Sequence, residues 1–132
     1  MRTKIPSFPA IVRRDERGVV WVSLYGYVRT ADVADAVAAV LRFTPPVVAY
    51  VIDCADVTGY EASVRDPGKA LLLALKKLGA ERGVCITSSS VVRMMASAVA
   101  FVMGMPVRFS PSREEANIVL AREVLCRRPP AV

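Results

Sequence analysis

The chain has 132 residues, of which 54% are hydrophobic and 23% are charged, and its formal net charge is +6 at pH 7. Its length suits one domain with an ordinary core, and its apolar content, with a mean hydropathy of +0.39, excludes a disordered chain. The sequence contains no histidine, which excludes Ser-His and Cys-His nucleophile pairs and histidine-based metal sites.

Cysteine spacing and hydropathy predict a cytoplasmic protein. The three cysteines, Cys54, Cys85 and Cys126, are an odd number without a C-x-x-C pair, which is typical of free thiols in a reducing compartment. No apolar run reaches the roughly 18 residues that a membrane span requires. Pro6 and Pro9 interrupt any signal-peptide core. The basic residues are dispersed and lack an aromatic platform, so we expect no nucleic-acid partner.

The first elements form a hairpin. Residues 1–9 read as an extended lead-in, and residues 10–14 as a short strand. The turn Asp15–Gly18 leads to a second strand at residues 19–25, and the short connection predicts an antiparallel pair. Residues 10–126 are predicted to form one domain, followed by a basic tail at residues 127–132.

A helix and a buried central strand come next. Thr30 is the predicted N-cap of the first helix, and apolar residues repeat along one face to Leu41. Pro45 and Pro46 end this helix.

Residues 47–53 are almost entirely apolar and rich in β-branched side chains, which predicts a central strand buried on both faces of a helix-covered sheet. We expect the loop after it, from Asp53 to Lys69, to carry the function, since α/β sheets bind ligands beyond the carboxyl ends of their strands.

The second half alternates helices and strands. A helix is predicted from Asp66-Pro67 to Gly79, a strand at residues 83–87, and a third helix from the serines at 88–90 to about Met103. A short strand follows at residues 107–109. Ser112 and Glu115 fit a capping box for a last helix ending near Cys126. The order ββαβαβαβα predicts a mixed, mostly parallel sheet packed with helices.

This element order, together with several motifs, resembles a STAS domain, the module of anti-sigma-factor antagonists. The motifs are Leu24-Tyr25-Gly26, Asp53-Cys54-Ala55-Asp56-Val57-Thr58 and Ser112-Arg113-Glu114-Glu115-Ala116. The resemblance implies a non-enzymatic regulatory or scaffolding module that binds a protein partner in bacterial-type signalling. The implied partner-binding residues lie between the central strand and the second helix: Thr58, Tyr60, Glu61, Ser63, Arg65, Asp66 and Lys69.

The chain departs from this family at the phosphorylation motif. The family carries Asp-Ser-x-Gly at the start of the second helix, where a kinase phosphorylates the serine. Gly68 matches the glycine of the motif, but Asp66 and Pro67 precede it. Ser63 is the nearest candidate phosphoacceptor, and it also reads as a loop hydroxyl or a helix cap. Because Asp66 supplies a permanent charge, we expect a constitutive binder.

The third helix is apolar on every side. From Met94 to Met105 the only side chain with a polar group is Ser97. Such a helix either is buried on both sides or exposes an apolar surface that binds another molecule. One hypothesis is a homodimer or partner interface; the other is an enlarged core. The candidate self-association residues are Met94, Met95, Val99, Phe101, Val102 and Met103.

Several alternatives stay open. The apolar third helix could serve a small-ligand or lipid-binding module. The serines at 88–90 could hold an anion or simply cap the helix. Asp53, Asp56 and Glu61 could perform acid–base chemistry or bind a hard metal, although turn formation explains them as well. We expect no cofactor and no metal. An enzyme ranks third because the sequence lacks a nucleophile–base pair.

Overall fold

The computed structural model describes residues 10–125, with side chains as far as residue 122. The strands are β1 (Ala10–Arg14), β2 (Val19–Val28), β3 (Ala49–Tyr60), β4 (Gly83–Ile86) and β5 (Val107–Ser110). The helices are α1 (Thr30–Val40), α2 (Arg65–Lys77), α3 (Ser90–Met103) and α4 (Arg113–Val119). A 3-10 turn, Ala62–Val64, precedes α2, and a wider helical turn, Leu120–Leu125, extends α4.

The five strands form one mixed sheet in the order β1-β2-β3-β4-β5. The β1–β2 pair is antiparallel, and the other three pairs are parallel. The predicted fold class, the element order and the central position of β3 are therefore confirmed. Parallel neighbours on both sides explain the nearly continuous apolar sequence of this strand.

Helices cover both faces of the sheet. Helices α1, α2 and α3 pack with Tyr50, Cys54 and Cys85 on one face. Ala116 and Leu120 pack with Val51 and other buried residues on the opposite face. The side chains of β3 alternate between these two cores because successive residues of a strand point to opposite sides. No helix within residues 10–125 has the length and apolar composition needed to cross a membrane.

The predicted hairpin turn is confirmed in detail. Gly18 has a φ of +87°, a conformation that glycine adopts without the strain of a Cβ atom. The amide nitrogen of Gly18 donates to the carbonyl oxygen of Asp15 at 3.0 Å. The carboxylate of Asp15 accepts bonds from Arg17, Val19 and the indole nitrogen of Trp21.

Several boundaries differ from the sequence prediction. Strand β3 begins at Ala49 rather than at residue 47, and Val48, predicted to be buried, is exposed. Strand β3 continues past Asp53 to Tyr60, because β2 also runs longer than predicted and pairs with it through two register shifts. The predicted loop is thus largely a strand. Thr30 is the first residue of α1 and Arg29 holds the cap position. The carboxylate of Asp32 accepts the amide hydrogen of Arg29 at 2.8 Å and so performs the capping.

Candidate protein-interaction site

The second half of β3 carries the chain from the core to the surface. Asp53 and Cys54 are buried, whereas Ala55, Asp56 and Thr58 are exposed. Pairing with β2 continues to Tyr60, opposite Val28. The backbone that leads to α2 is therefore held in the sheet, so its side chains project from a fixed support.

A hydrogen-bonded network ties this strand to the start of α1. One carboxylate oxygen of Glu61 accepts the amide hydrogen of Thr30 at 2.7 Å. The hydroxyls of Thr30 and Ser63 are hydrogen-bonded to each other. The bonds from Thr30 hold the pKa of Glu61 below its ordinary value, with a smaller contribution from nearby Arg29. The network fixes the β3–α2 connection against the N-terminus of α1.

The 3-10 turn Ala62–Val64 connects β3 to α2. Val64 is buried and anchors the turn, while Ser63, Arg65 and Asp66 are exposed. Asp66 lies in the first turn of α2, where the partial positive charge of a helix N-terminus favours a carboxylate. The start of α2 therefore presents a cation and an anion side by side.

These positions make up the surface that we call the β3–α2 surface. Thr58, Ser63, Arg65 and Asp66 are exposed, and Tyr60, Glu61 and Lys69 are half-buried. Thr30, predicted as a helix cap and not as a site residue, bonds both Glu61 and Ser63. Because Thr30 and Glu61 are 31 residues apart in sequence, no local pattern signals this contact.

Arg113 binds two acidic residues of β3, Asp53 and Asp56, and we call this contact the arginine clamp. It was not predicted from the sequence. The Nε atom of Arg113, at the start of α4, donates to buried Asp53 at 2.5 Å. Its Nη2 atom donates to Asp56 at 2.9 Å. These two hydrogen bonds raise the pKa of Arg113 above its ordinary value, against a smaller opposing effect of burial. Asp53 is only 2% exposed, so the guanidinium neutralises a carboxylate that water does not reach.

The three acidic residues considered for acid–base chemistry or metal binding each have a bonding partner within the fold. Asp53 and Asp56 share the Arg113 cation, and Glu61 bonds Thr30 instead. Among the described residues, no three cysteine or acidic side chains cluster in a way that could hold a metal ion. The acidic side chains therefore connect elements of the fold.

One of the serines at 88–90, Ser89, caps α3. Its hydroxyl accepts the amide hydrogen of Val92 at 3.3 Å. Ser112 does the same for α4, with its hydroxyl accepting the amide hydrogen of Glu115 at 3.2 Å. The predicted cap at Ser112 is confirmed, and of the serines considered for anion binding Ser89 is an ordinary helix cap.

Helix α3 has one buried side and one exposed apolar side. Phe101 is 88% exposed, Met94 73% and Val102 63%. Met95 and Met103 are half-buried. The expectation for Val99 needs correction: it is 5% exposed, because it points into the core between α2 and the sheet. We call Met94, Phe101 and Val102 the α3 outer face.

The two cysteines within the described residues, Cys54 and Cys85, are free and buried. Their thiols lie within hydrogen-bonding distance, and this contact and burial raise the pKa of Cys54 well above its ordinary value. The Cys54 thiol therefore stays protonated. The prediction of free, buried thiols is confirmed for these two cysteines. Cys126 and the basic tail lie outside the described residues.

Comparisons with known proteins bear on the fold. No protein-family model matches the chain, and no curated protein does. Solved structures do match. One is an uncharacterized DUF3478-family protein with a SpoIIAA-like fold from Shewanella loihica PV-4. It has 16% identity and a TM-score of 0.58, covering 91% of this chain and 98% of that one.

Two anti-sigma factor antagonists match as well. SpoIIAA in its unphosphorylated form has 14% identity and a TM-score of 0.54, covering 87% of this chain and 99% of that one. The antagonist from Mycobacterium paratuberculosis has 20% identity and a TM-score of 0.59, covering 85% and 92%. Likeness at these identities establishes a shared fold over nearly the whole of each chain.

Proposed function

We propose, on the premise that the chain has a STAS-like fold, that it is a cytoplasmic, non-enzymatic regulatory or scaffolding module. It binds a protein partner through the β3–α2 surface. Two of the solved structures that share the fold are anti-sigma factor antagonists, which makes a regulatory protein the natural partner class. Neither nucleic acid nor a membrane is part of this proposal.

The observation that carries the proposal is the exposure of charged side chains on a rigid support. Arg65 and Asp66 are exposed at the start of α2, directly after a connection held by the Glu61–Thr30 bond. A fixed pair of opposite charges selects a partner by electrostatic complementarity. Because the backbone is already ordered, binding loses little conformational entropy.

The same geometry supports constitutive binding. The hydroxyl of Ser63 is bonded to Thr30, whose amide is bonded to Glu61. A phosphate on Ser63 would break the hydroxyl contact and place a second negative group near the Glu61 carboxylate. Asp66 already supplies a permanent charge in the first turn of α2. Phosphorylation of Ser63 is not expected to act as the switch.

Self-association through the α3 outer face belongs to the same proposal. Four large apolar side chains of α3 are exposed: Val91 and the three of the α3 outer face, Met94, Phe101 and Val102. Aromatic and methionine side chains are enriched in protein interfaces. A second copy of the chain would cover the same patch symmetrically, since homodimer interfaces are mostly two-fold.

Affinity capture from lysate of the native host tests the partner surface. We expect specific proteins to be retained by the wild type and lost with Arg65→Ala and with Asp66→Ala, because each variant removes one charge of the pair. Lys76→Ala is the matched control: it removes an exposed charge from the last turn of the same helix. It should retain the same proteins as the wild type.

Two results would contradict the proposal. Retention of the same proteins by all four chains would show that the β3–α2 surface is not the binding site. The second result concerns Ser63. If Ser63→Glu gained or lost the partner and Ser63→Ala changed partner retention in the opposite direction, a negative charge at Ser63 would be the switch for binding.

A further inference from the structure

An apolar cavity lies between the sheet and the three helices on its first face. Its volume is about 90 Å³. Side chains of β2, β3, β4 and β5 form its floor, and α1, α2, α3 and Val64 of the 3-10 turn supply the rest of its lining. Among the residues that the structure describes, no charged one lines it. Natural cores leave few voids larger than a water molecule, so a space of this size calls for an explanation.

Small residues on the two neighbouring helices create the space. Gly68 of α2 lies opposite α3, and a Cβ atom at this position would come no nearer than 3.9 Å to Val99. Ala96 and Ala100 of α3 also line the cavity. Larger apolar side chains at these positions would fill the volume, as they do in an ordinary core.

One polar group of the cavity lining has no hydrogen-bond partner. The side chain of Tyr50 lines the cavity and the residue is 1% exposed. Its hydroxyl is buried without a partner among the described residues. Burial, and to a lesser extent nearby Cys85, raises the pKa of Tyr50 well above its ordinary value. The hydroxyl therefore keeps its proton and is available as a donor.

Water is a poor occupant of this cavity. A buried water needs two to four polar partners. The polar side chains of the lining are Tyr50, the half-buried Tyr60, Cys54 and Cys85. The two thiols lie within hydrogen-bonding distance of each other and are weak donors in any case. Leaving the hydroxyl unpaired is also costly, since a buried unsatisfied group loses its hydration without compensation.

We propose that this cavity is a binding site for a small, uncharged and mostly apolar molecule with one hydrogen-bond acceptor, such as a carbonyl oxygen. The Tyr50 hydroxyl donates to that acceptor, and the surrounding aliphatic side chains take the apolar remainder. An apolar cavity of roughly 150 Å³ holds benzene, so this cavity suits a ligand of roughly four to six heavy atoms. The cavity shares Tyr60 with the β3–α2 surface, but Arg65 and Asp66, which carry the partner proposal, do not line it, so either proposal can fail alone.

Two probes of matched shape test the proposal by NMR of methyl groups in the cavity lining. Butanone carries the acceptor, and 2-methylbut-1-ene has a methylene group in place of the carbonyl oxygen. The full-length wild type should bind butanone about fivefold more tightly than the alkene, the effect of one hydrogen bond. In Tyr50→Phe this preference should disappear while alkene binding persists. Tyr50→Phe without a probe should unfold at an unchanged or higher temperature, because the unpaired hydroxyl is gone.

A cavity-filling variant supplies the control. Ala96→Leu, in the lining, should abolish the shifts caused by both probes. Ala70→Leu, on the exposed side of α2, should leave them unchanged. Absence of probe-dependent shifts in the wild type would overturn the proposal. So would equal affinities for the two probes in the wild type, or a lower unfolding temperature of Tyr50→Phe, which would indicate that a water bridges the hydroxyl.

Discussion

Asp15 organises the β1–β2 hairpin through more hydrogen bonds than any neighbouring side chain. It accepts from the backbone of Arg17 and Val19 and from the indole nitrogen of Trp21, at 2.9 to 3.1 Å. Burial by itself would raise the pKa of Asp15, but the bonds from Arg17, Trp21 and Val19 outweigh it, and the pKa lies below its ordinary value. The ionised carboxylate is thus part of the folded state.

Replacement of Asp15 by asparagine should lower the free energy of unfolding by about 1–3 kcal/mol, the usual contribution of hydrogen bonds to a charged group. Because the pKa is depressed on folding, the stabilisation is present above the ordinary pKa of about 3.9 and is lost as pH falls through the folded-state value. Denaturant unfolding followed by Trp21 fluorescence at pH 7 and below pH 4 measures both effects. The exposed neighbour Glu16→Gln is the control and should unfold like the wild type. A destabilisation of Asp15→Asn that is as large at low pH as at pH 7 would contradict this assignment.

At the scale of elements, Arg113 connects α4 to the central strand. The helix is short and packs on the second face of the sheet mainly through Ala116 and, just beyond its end, Leu120. The bonds from Arg113 to Asp53 and Asp56 fix its N-terminus above the end of β3. The orientation of α4 therefore depends on one cation shared by two carboxylates of different exposure.

The two carboxylates should differ in their contribution to stability. Asp53→Asn breaks a bond to a buried charge and should cost roughly 1–3 kcal/mol, less than a fully buried pair because Arg113 is half-exposed. Asp56→Asn changes an exposed ion pair and should cost less than about 1 kcal/mol. Urea denaturation of both variants compares them directly, and Asp56→Asn serves as the matched control. Equal costs would show that the clamp does not depend on the buried carboxylate.

At the scale of the whole molecule, α3 lines the apolar cavity with its inner side and exposes an apolar face on its outer side. Its inner side packs against the sheet through Val92, Val99 and Ala100. Its outer face leaves Met94, Phe101 and Val102 exposed. The buried side explains part of the apolar sequence from Met94 to Met105. The interface hypothesis for the exposed side stays a prediction.

If the α3 outer face mediates self-association, the wild type should form a concentration-dependent dimer in sedimentation equilibrium. Phe101→Ser should weaken this dimer at least tenfold, since aromatic side chains commonly dominate interface energetics. Ile118→Ser is the matched control, because Ile118 is also an exposed apolar residue, on α4. It should associate like the wild type. A strictly monomeric wild type across micromolar concentrations would exclude a homodimer.

Local patterns determined the element order, the central strand that begins at Ala49, within the predicted residues 47–53, and the helix caps at Ser89 and Ser112. Each of these depends on interactions within a few residues or on a hydrophobic period, which the sequence displays directly. The extent of β3 depended on its partner instead. Strand pairing with β2 extends it to Tyr60, although Cys54 to Gly59 read as a loop in isolation.

Only the tertiary structure decided the contacts of the site. Thr30 with Glu61 and Ser63, and Arg113 with Asp53, join residues more than 30 positions apart. The same holds for the side of α3 that remains exposed and for the unpaired hydroxyl of Tyr50. Ser90, Arg93 and Ser97 of α3 are exposed. Its apolar residues lie on both sides of the helix, and only the packing of α2 and the sheet decides which of them are buried. The chain alone determines which elements form; their assembly determines which side chains meet and which remain free to bind.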